Sequence, residues 1–294
     1  MVLLNPLDHN FHFTEVDKDV FRANNLESSN NQDPKYAYGG LLMAQALHAA
    51  QLTVGEQFSA HVMQNIMVAS VDTRLSIDYA VLRIFDGRSF AVRLVSGISE
   101  GVTRLTIQVS FHTKEPDACV HRSPMPQIRG PEECDDFDID SFYWKALTGD
   151  SETGRPYPFH FRIADPEAMS GKKPTDDNSH YAWIKYRYPL GADDQRSQRV
   201  TLAYISDTGH SMTVFGPHLE SGFKPALIFT LNHSLHFHAS ILRVDEWMLL
   251  ELQSTVANSG RGFSRARIWS RDGELVASVT QESLIRTRGK PSRL

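Results

Sequence analysis

The chain has 294 residues, with 30 Lys and Arg against 35 Asp and Glu for a formal net charge of −5, and 41% of its residues are hydrophobic. This is the composition of an ordinary folded protein of one large domain or two smaller ones, and it excludes a surface built to hold phosphate-rich nucleic acid. The uncharged run Tyr36–Gly55 contains Gln45, His48, Gln51 and two early glycines, so no membrane span is expected.

At the start, Met1–Leu4 lacks a basic flank and Asp8 arrives before a secretory core could form, which points to a chain that stays inside the cell. Leu41–Ala50 is made of strong helix formers and is apolar around nearly its whole circumference, so it predicts a helix near 40–53 that other structure must wrap. Runs at Asn65–Val71, Arg74–Ile84, Ser89–Ser96 and Val102–Thr113 have strand character, with Asp86-Gly87 and Glu100-Gly101 as turns between the later ones. From Lys114 to about Pro158 the pattern decays into Pro, Gly and acidic residues, with Pro124, Pro126 and Pro131 against regular structure. This stretch reads as a linker with a short helix near Phe142–Leu147. Cys119 and Cys134 lie in it without metal-ligand spacing, which argues against a disulfide framework and a cysteine zinc site. Beyond it, strands are expected at His160–Ile163, Tyr181–Tyr188, Ala226–His238, Met248–Ala257, Phe263–Ser270 and Leu275–Ile285, with a second helix near 198–208.

The second half thus repeats the order of the first. Gly87-Arg88-Ser89-Phe90 resembles Gly260-Arg261-Gly262-Phe263, and Glu100-Gly101 matches Asp272-Gly273, with a one-residue difference in spacing that a turn absorbs. An internal duplication is expected.

Several stretches carry a more specific likeness: Tyr38-Gly39-Gly40 leading into Gln45-Ala46-Leu47, Leu202 to Asp207, Thr230-Leu231-Asn232-His233-Ser234, Phe237-His238, Asp245-Glu246-Trp247, Arg261-Gly262-Phe263, and Asp272-Gly273 through Gln281-Glu282. In order and spacing they resemble the type II acyl-CoA thioesterases. That resemblance implies an α+β double hotdog, two antiparallel sheets each wrapped around a long central helix. The units would be residues 1–115 and 159–288, with a linker at 116–158 and a tail at 289–294. It implies hydrolysis of acyl-CoA to free acid and coenzyme A with no cofactor, by a water held by an Asp, a Thr and a Gln that fall on Asp207, Thr230 and Gln281. Asn232 stands where the family commonly has Asp, and His236 where an aromatic is usual. In the first half, Asn65 to Ser70 departs from the family's Phe-Leu-Arg-x-Gly pattern, which bears on acyl preference.

The residues agree in part on their own terms. Strand alternation places Gln281 on the face of Leu275, Ala277 and Val279, an apolar row in which a buried amide needs partners. Asp207 lies seven residues after Val200 and three after Tyr204, so a helix carries it along the same inward stripe. Thr230 shares its face with Ala226, Ile228, Asn232 and Ser234, a mixed set that leaves an ordinary strand threonine open. Gly39 and Gly40 permit close approach of backbone N–H groups to a thioester carbonyl, which makes them the candidate substrate-binding residues. Eight residues on from Gly101 stands Val109, whereas eight on from Gly273 stands Gln281, so one competent site per chain is expected.

Other motifs are set aside. Gly97-Ile98-Ser99-Glu100-Gly101 matches a serine-hydrolase elbow, but the next residues alternate as a strand instead of opening a helix. His233 faces away from His236 and His238 in any strand, so no metal site is expected. Arg261, Arg265 and Arg267 could reach phosphate but also suit a solvated edge. Two rival functions remain: a hotdog hydratase or dehydratase with His210 as its candidate, and a non-catalytic acyl-CoA binder. Self-association as a homodimer or homotetramer is expected. The final Ser292-Arg293-Leu294 is a variant of the Ser-Lys-Leu address, so a peroxisomal import receptor is an expected partner in a eukaryotic host, with a cytoplasmic location otherwise.

Overall fold

The computed structural model describes residues 9–28, 35–139, 142, 145, 158–173, 175 and 177–288. Its elements in chain order are β1 (Thr14–Asp17), β2 (Val20–Ala23), α1 (Gly39–Gln51), β3 (Phe58–Met67), β4 (Ile77–Asp86), β5 (Phe90–Ser99), β6 (Val102–Thr113), β7 (Phe159–Ile163), α2 (Pro166–Met169), β8 (Ser179–Tyr186), α3 (Gln195–Ser206), α4 (His210–Phe215), β9 (Pro225–Phe237), β10 (Met248–Asn258), β11 (Arg261–Ser270) and β12 (Leu275–Thr287). The strands form one sheet in the order β1-β2-β4-β5-β6-β3-β9-β12-β11-β10-β8-β7. Every neighbouring pair in it is antiparallel. The halves join where β3 pairs with β9, from Val62 opposite His236 to Ile66 opposite Asn232. The two sheets expected from the sequence are thereby joined edge to edge, as expected, into one.

Sequence dictates α1 directly. Its interior contains no β-branched residue, and Leu41, Leu42, Met43, Ala44, Ala46, Leu47, Ala49 and Ala50 are all buried. Of its two buried glutamines, Gln45 is satisfied inside: its Nε2 donates to the Asn10 carbonyl at 2.6 Å and its Oε1 accepts from the Tyr79 hydroxyl at 2.8 Å. Such pairing is what makes a buried amide tolerable.

The second helix departs from expectation. It opens at an N-cap, Asp194, whose carboxylate accepts from the Ser197 amide at 3.0 Å. It stops at Ser206, turns through Gly209 in the left-handed region at φ 85°, and resumes as α4. A Cβ at Gly209 would come within 2.8 Å of Leu252. Helix α4 packs on β10, β11, β9 and β12, while α3 packs on α1. The two helices run antiparallel: the Tyr38 and Tyr204 rings meet at 5.0 Å at one end, and Arg196 donates to the Gln51 and Gly55 carbonyls at 3.0 and 2.8 Å at the other. Buried Arg199 ties α3 to both halves through the carbonyls of Ala60 and Ser240.

Other strand bounds shift. Strand β3 begins at Phe58, ahead of the expected Asn65, because Ser59, His61 and Gln64 and a bulge between Ala60 and Val62 blur its alternation. Strands β1, at the sheet edge, and β2, beside it, are four residues each and too short to show a period. The turn at Glu100-Gly101 has φ 53° and 73°, as a two-residue hairpin loop requires, and Ser259-Gly260 repeats it at 49° and 72°.

The stretch read as a linker is not a free tether where it is described. Pro131–Glu133 forms a short 3₁₀ turn with Pro131 at its start, a place where proline is welcome. Met125, Ile128 and Cys134 pack with Trp183, Leu249 and Trp269, and the Trp183 indole donates to the Arg129 carbonyl at 2.8 Å. Apolar residues spaced among prolines carried that contact without any regular period. Of the helix expected at Phe142–Leu147, Phe142 and Lys145 are helical and the remaining residues lie outside those described, as does the tail Ser292-Arg293-Leu294.

Candidate active site

The helix break puts Asp207 at a corner, as the C-cap of α3, where its carboxylate meets three other elements. From β9, the Thr230 hydroxyl donates to Asp207 Oδ1 at 3.0 Å. From β12, Gln281 Nε2 donates to Thr230 Oγ1 at 3.3 Å. From the start of α1, the Gly40 amide acts on the same carboxylate. Residues 74 positions apart in sequence are thereby drawn into one chain of hydrogen bonds.

Gly39 and Gly40 serve this corner differently. A Cβ on Gly40 would lie 2.6 Å from the Tyr204 carbonyl oxygen, so glycine is what lets α1 approach α3. A Cβ on Gly39 would lie 3.1 Å from Asp207 Oδ2, 3.7 Å from Thr230 Oγ1 and 3.5 Å from the Met67 methyl. That spot is bordered by both oxygens, and Thr230 occupies only Oδ1. The N-cap, Tyr38, makes no side-chain cap bond to α1, and the Gly40 amide of its first turn acts on Asp207 at the edge of this space.

Burial pushes the Asp207 carboxyl above the usual Asp range, and is opposed by His233, Thr230, Gln281 and the Gly40 amide. Asp207 nevertheless keeps partial exposure, so it remains reachable. Behind it, Gln281 is 1% exposed, as its apolar row anticipated. Its Oε1 lies 2.7 Å from His233 Nδ1, and its Nε2 also reaches Ser283 Oγ at 3.3 Å. His233 Nε2 lies 2.9 Å from Ser206 Oγ.

His233, Ser206 and Ser283 were not among the expected site residues. A signal existed for His233: Leu235 and Phe237 follow it at spacings of two and four, which sets it on the buried face of β9. His236 and His238 are exposed, so the three histidines do not converge. His210, the candidate for a hydratase, is fully buried, and its Nδ1 pairs with Ser264 Oγ at 2.8 Å. Ser99 is a hairpin serine whose hydroxyl donates to the Ser76 carbonyl at 2.8 Å. Arg261 and Arg267 pair with Glu282 and Glu251, and Arg265 donates to Gln253. In the first half, Val109 and Phe111 are both apolar and buried, so no amide stands in either position that could match Gln281.

A model of the acyl-CoA thioesterase N-terminal domain matches residues 27–112, and one of the acyl-CoA thioesterase C-terminal domain matches residues 131–285. The chain belongs to the type II acyl-CoA thioesterase family. Among its relatives, acyl-coenzyme A thioesterase 8 of Rattus norvegicus is 30% identical over 94% of this chain and 88% of its own length. Acyl-CoA thioesterase 2 of Haemophilus influenzae is 29% identical, covering 97% and 98%. Among solved structures, the acyl-CoA thioesterase II TesB2 of Mycobacterium marinum superposes with a TM-score of 0.78 at 23% identity, covering 96% of this chain and 99% of that one. A conserved protein with a hot dog fold from Alicyclobacillus acidocaldarius gives 0.75 at 16% identity, covering 97% and 99%. At those identities the likeness is one of fold: a large antiparallel hotdog sheet with few helices.

The two glycines give a contrast that can be measured in this family member. Gly39→Ala is expected to fill the spot beside Asp207, lowering thioester hydrolysis while leaving the melting temperature within a few degrees. Gly40→Ala is expected to lower the melting temperature clearly, because the clash is with backbone.

Proposed function

We propose that this chain, an acyl-CoA thioester hydrolase by family, cleaves its substrate by direct attack of a water held by Asp207 and Thr230, with Gln281 acting through Thr230. The observation that carries the reading is the single hydrogen-bond chain from Gln281 through Thr230 to Asp207 Oδ1, which leaves Oδ2 facing the spot beside Gly39. The water oxygen attacks the thioester carbonyl as Asp207 takes its proton. Collapse breaks the carbon–sulfur bond, and the proton passes to the leaving thiolate, giving free acid and coenzyme A. With the Gly40 amide engaged by Asp207, the positive end of α1 still lies beside the reacting carbonyl and suits the developing oxyanion. No protein nucleophile is needed, because a thioester is activated enough for a positioned water.

Asp207→Asn is expected to lower kcat by roughly 10²–10⁴-fold with little change in KM, since the loss is in water activation and not in binding. The wild-type kcat/KM is expected to fall as pH drops through a value above the ordinary Asp range, because burial raises the Asp207 carboxyl and only its ionised form accepts the proton. Colorimetric detection of released thiol from several acyl-CoAs, followed against pH, checks both. Wild-type turnover in Asp207→Asn removes Asp207 from the mechanism. An absence of thiol release from all of them favours the non-catalytic binder. Release also separates this reading from hydration, whose candidate His210 is buried with its Nδ1 on Ser264.

The same reading divides the chain into units at 1–115 and 159–288, with α1 as the central helix of the first and α3 with α4 as that of the second. It extends to self-association. Leu82, Ile84 and Phe85 at the end of β4 and Phe90 at the start of β5 are each more than 40% exposed, an apolar area that a second copy would cover. Light scattering at micromolar concentration is expected to give a mass above 33.2 kDa, and a monomer contradicts it.

For location, no helix among the described residues is long and apolar enough to cross a membrane. A relative 21% identical is named a peroxisomal acyl-coenzyme A thioester hydrolase, of Saccharomyces cerevisiae. Where Leu294 is the terminal residue of the protein, Ser292-Arg293-Leu294 would be read by the peroxisomal import receptor in a eukaryotic cell. An N-terminal fluorescent fusion is expected to be punctate there and diffuse once the three residues are removed. A diffuse signal from the intact tail rejects the address.

A further inference from the structure

We infer that His233 is a positioning residue that fixes which end of the Gln281 amide faces Thr230, and so decides whether Thr230 donates its proton to Asp207. The inference rests on the water-holding reading of Asp207, Thr230 and Gln281.

The argument is a count of protons. Thr230 has one, and it goes to Asp207 Oδ1. Thr230 Oγ1 must then be met on its other side by a donor, which is the Gln281 Nε2 group at 3.3 Å. With its NH₂ turned to Thr230 and Ser283, Gln281 presents Oε1 to His233 Nδ1 at 2.7 Å, and that nitrogen has to carry a proton. Were the amide turned by 180°, its oxygen would face Thr230 Oγ1. Thr230 would then either swing its proton away from Asp207 or leave two oxygens facing each other without one.

The other ring nitrogen allows the same conclusion. Ser206 also has a single hydroxyl proton and two takers, the Ala203 carbonyl at 2.8 Å and His233 Nε2 at 2.9 Å. If it donates to Nε2, His233 is neutral with its proton on Nδ1. If it donates to Ala203, then Nε2–H donates to Ser206, and the Nδ1 proton demanded by Gln281 makes the ring a cation. In both states Nδ1–H points at Gln281 Oε1. Only the tautomer protonated at Nε2 alone breaks the series. Burial lowers the basicity of His233 and Asp207 raises it. The other ionisable group facing the ring is His210 of α4, with ring centroids 5.8 Å apart, and itself held neutral by burial. From the strands, the neighbours of His233 are the neutral Gln281 of β12 and Asn65 of β3. Burial thus favours the first of these states, in which Ser206 donates to Nε2 and neutral His233 keeps its proton on Nδ1.

Nitrogen-15 NMR of the histidine rings in the wild-type protein tests the orientation without any variant. His233 is expected to show a protonated Nδ1, and a signal from the form protonated at Nε2 alone overturns the inference. Kinetics test the role. His233→Phe removes the donor and is expected to lower kcat at least about 100-fold with KM nearly constant. His233→Asn, whose amide nitrogen stands close to the Nδ1 position, is expected to recover a large part of that loss and to keep the acid limb of the pH profile. The double variant His233→Phe with Gln281→Leu is expected to be no slower than Gln281→Leu alone, because both remove the same support. An additive double loss, or His233→Asn as slow as His233→Phe while both melt cooperatively, overturns the positioning role. If Gln281→Leu turns over normally, the water-holding reading fails and the NMR result still decides the tautomer. If Gln281→Leu is inactive and His233→Phe is not, the water-holding reading stands and the role of His233 falls.

Discussion

The close contact of α1 with α3 is the constraint on which the rest of the molecule depends. Two helices packed this tightly need a residue with no side chain where backbone meets backbone, and Gly40 against the Tyr204 carbonyl supplies it. That approach brings the amino end of one helix to the carboxyl end of the other, where helical partial charges have opposite sign. Asp207 sits at the meeting point. It terminates α3, receives the Gly40 amide and accepts from Thr230 of β9, while Met67 of β3 borders the spot beside Gly39. Loosening the helix pair would expose Asp207 to water and relax its carboxyl toward ordinary acidity.

Behind the carboxylate, polarity is organised by direction. A buried amide, an imidazole and three hydroxyls, those of Thr230, Ser206 and Ser283, stand among apolar neighbours, and a network of this kind is stable only when each proton has one destination. Here the destinations run one way, from the histidine to the carboxylate. The pseudo-equivalent part of the first half has no such series, since Val109 and Phe111 fill the space with hydrocarbon.

How much of this could be read in the sequence follows from the range over which each signal acts. Helix α1 and hairpin β5–β6 are written locally, in helix formers without β-branching and in a Glu-Gly turn that needs positive φ. The inward aspect of Gln281 was equally legible from strand alternation. Strands β1 and β2 were not, because four residues hold no period, and neither was the packing of residues 125–139, whose contacts follow no repeat. The end of α3 at Ser206 turned on Gly209, where a left-handed φ and the closeness of Leu252 on a distant strand both call for glycine. His233 lay in view but was weighed only as a metal ligand. Its function as a hydrogen-bond partner depends on Ser206, Gln281 and the seam, which are brought together only by the fold.

The β3–β9 seam also has a consequence for biosynthesis. When β6 has left the ribosome at residue 113, β3 is an interior strand with one side bare, and its partner, β9, ends at Phe237. At roughly 5–20 residues per second, about 6–25 s of synthesis separate the two, during which a row of unpaired N–H and C=O groups is open to any passing strand. The solubility of the first half in that interval is therefore a property of a nascent edge that the finished sheet no longer has.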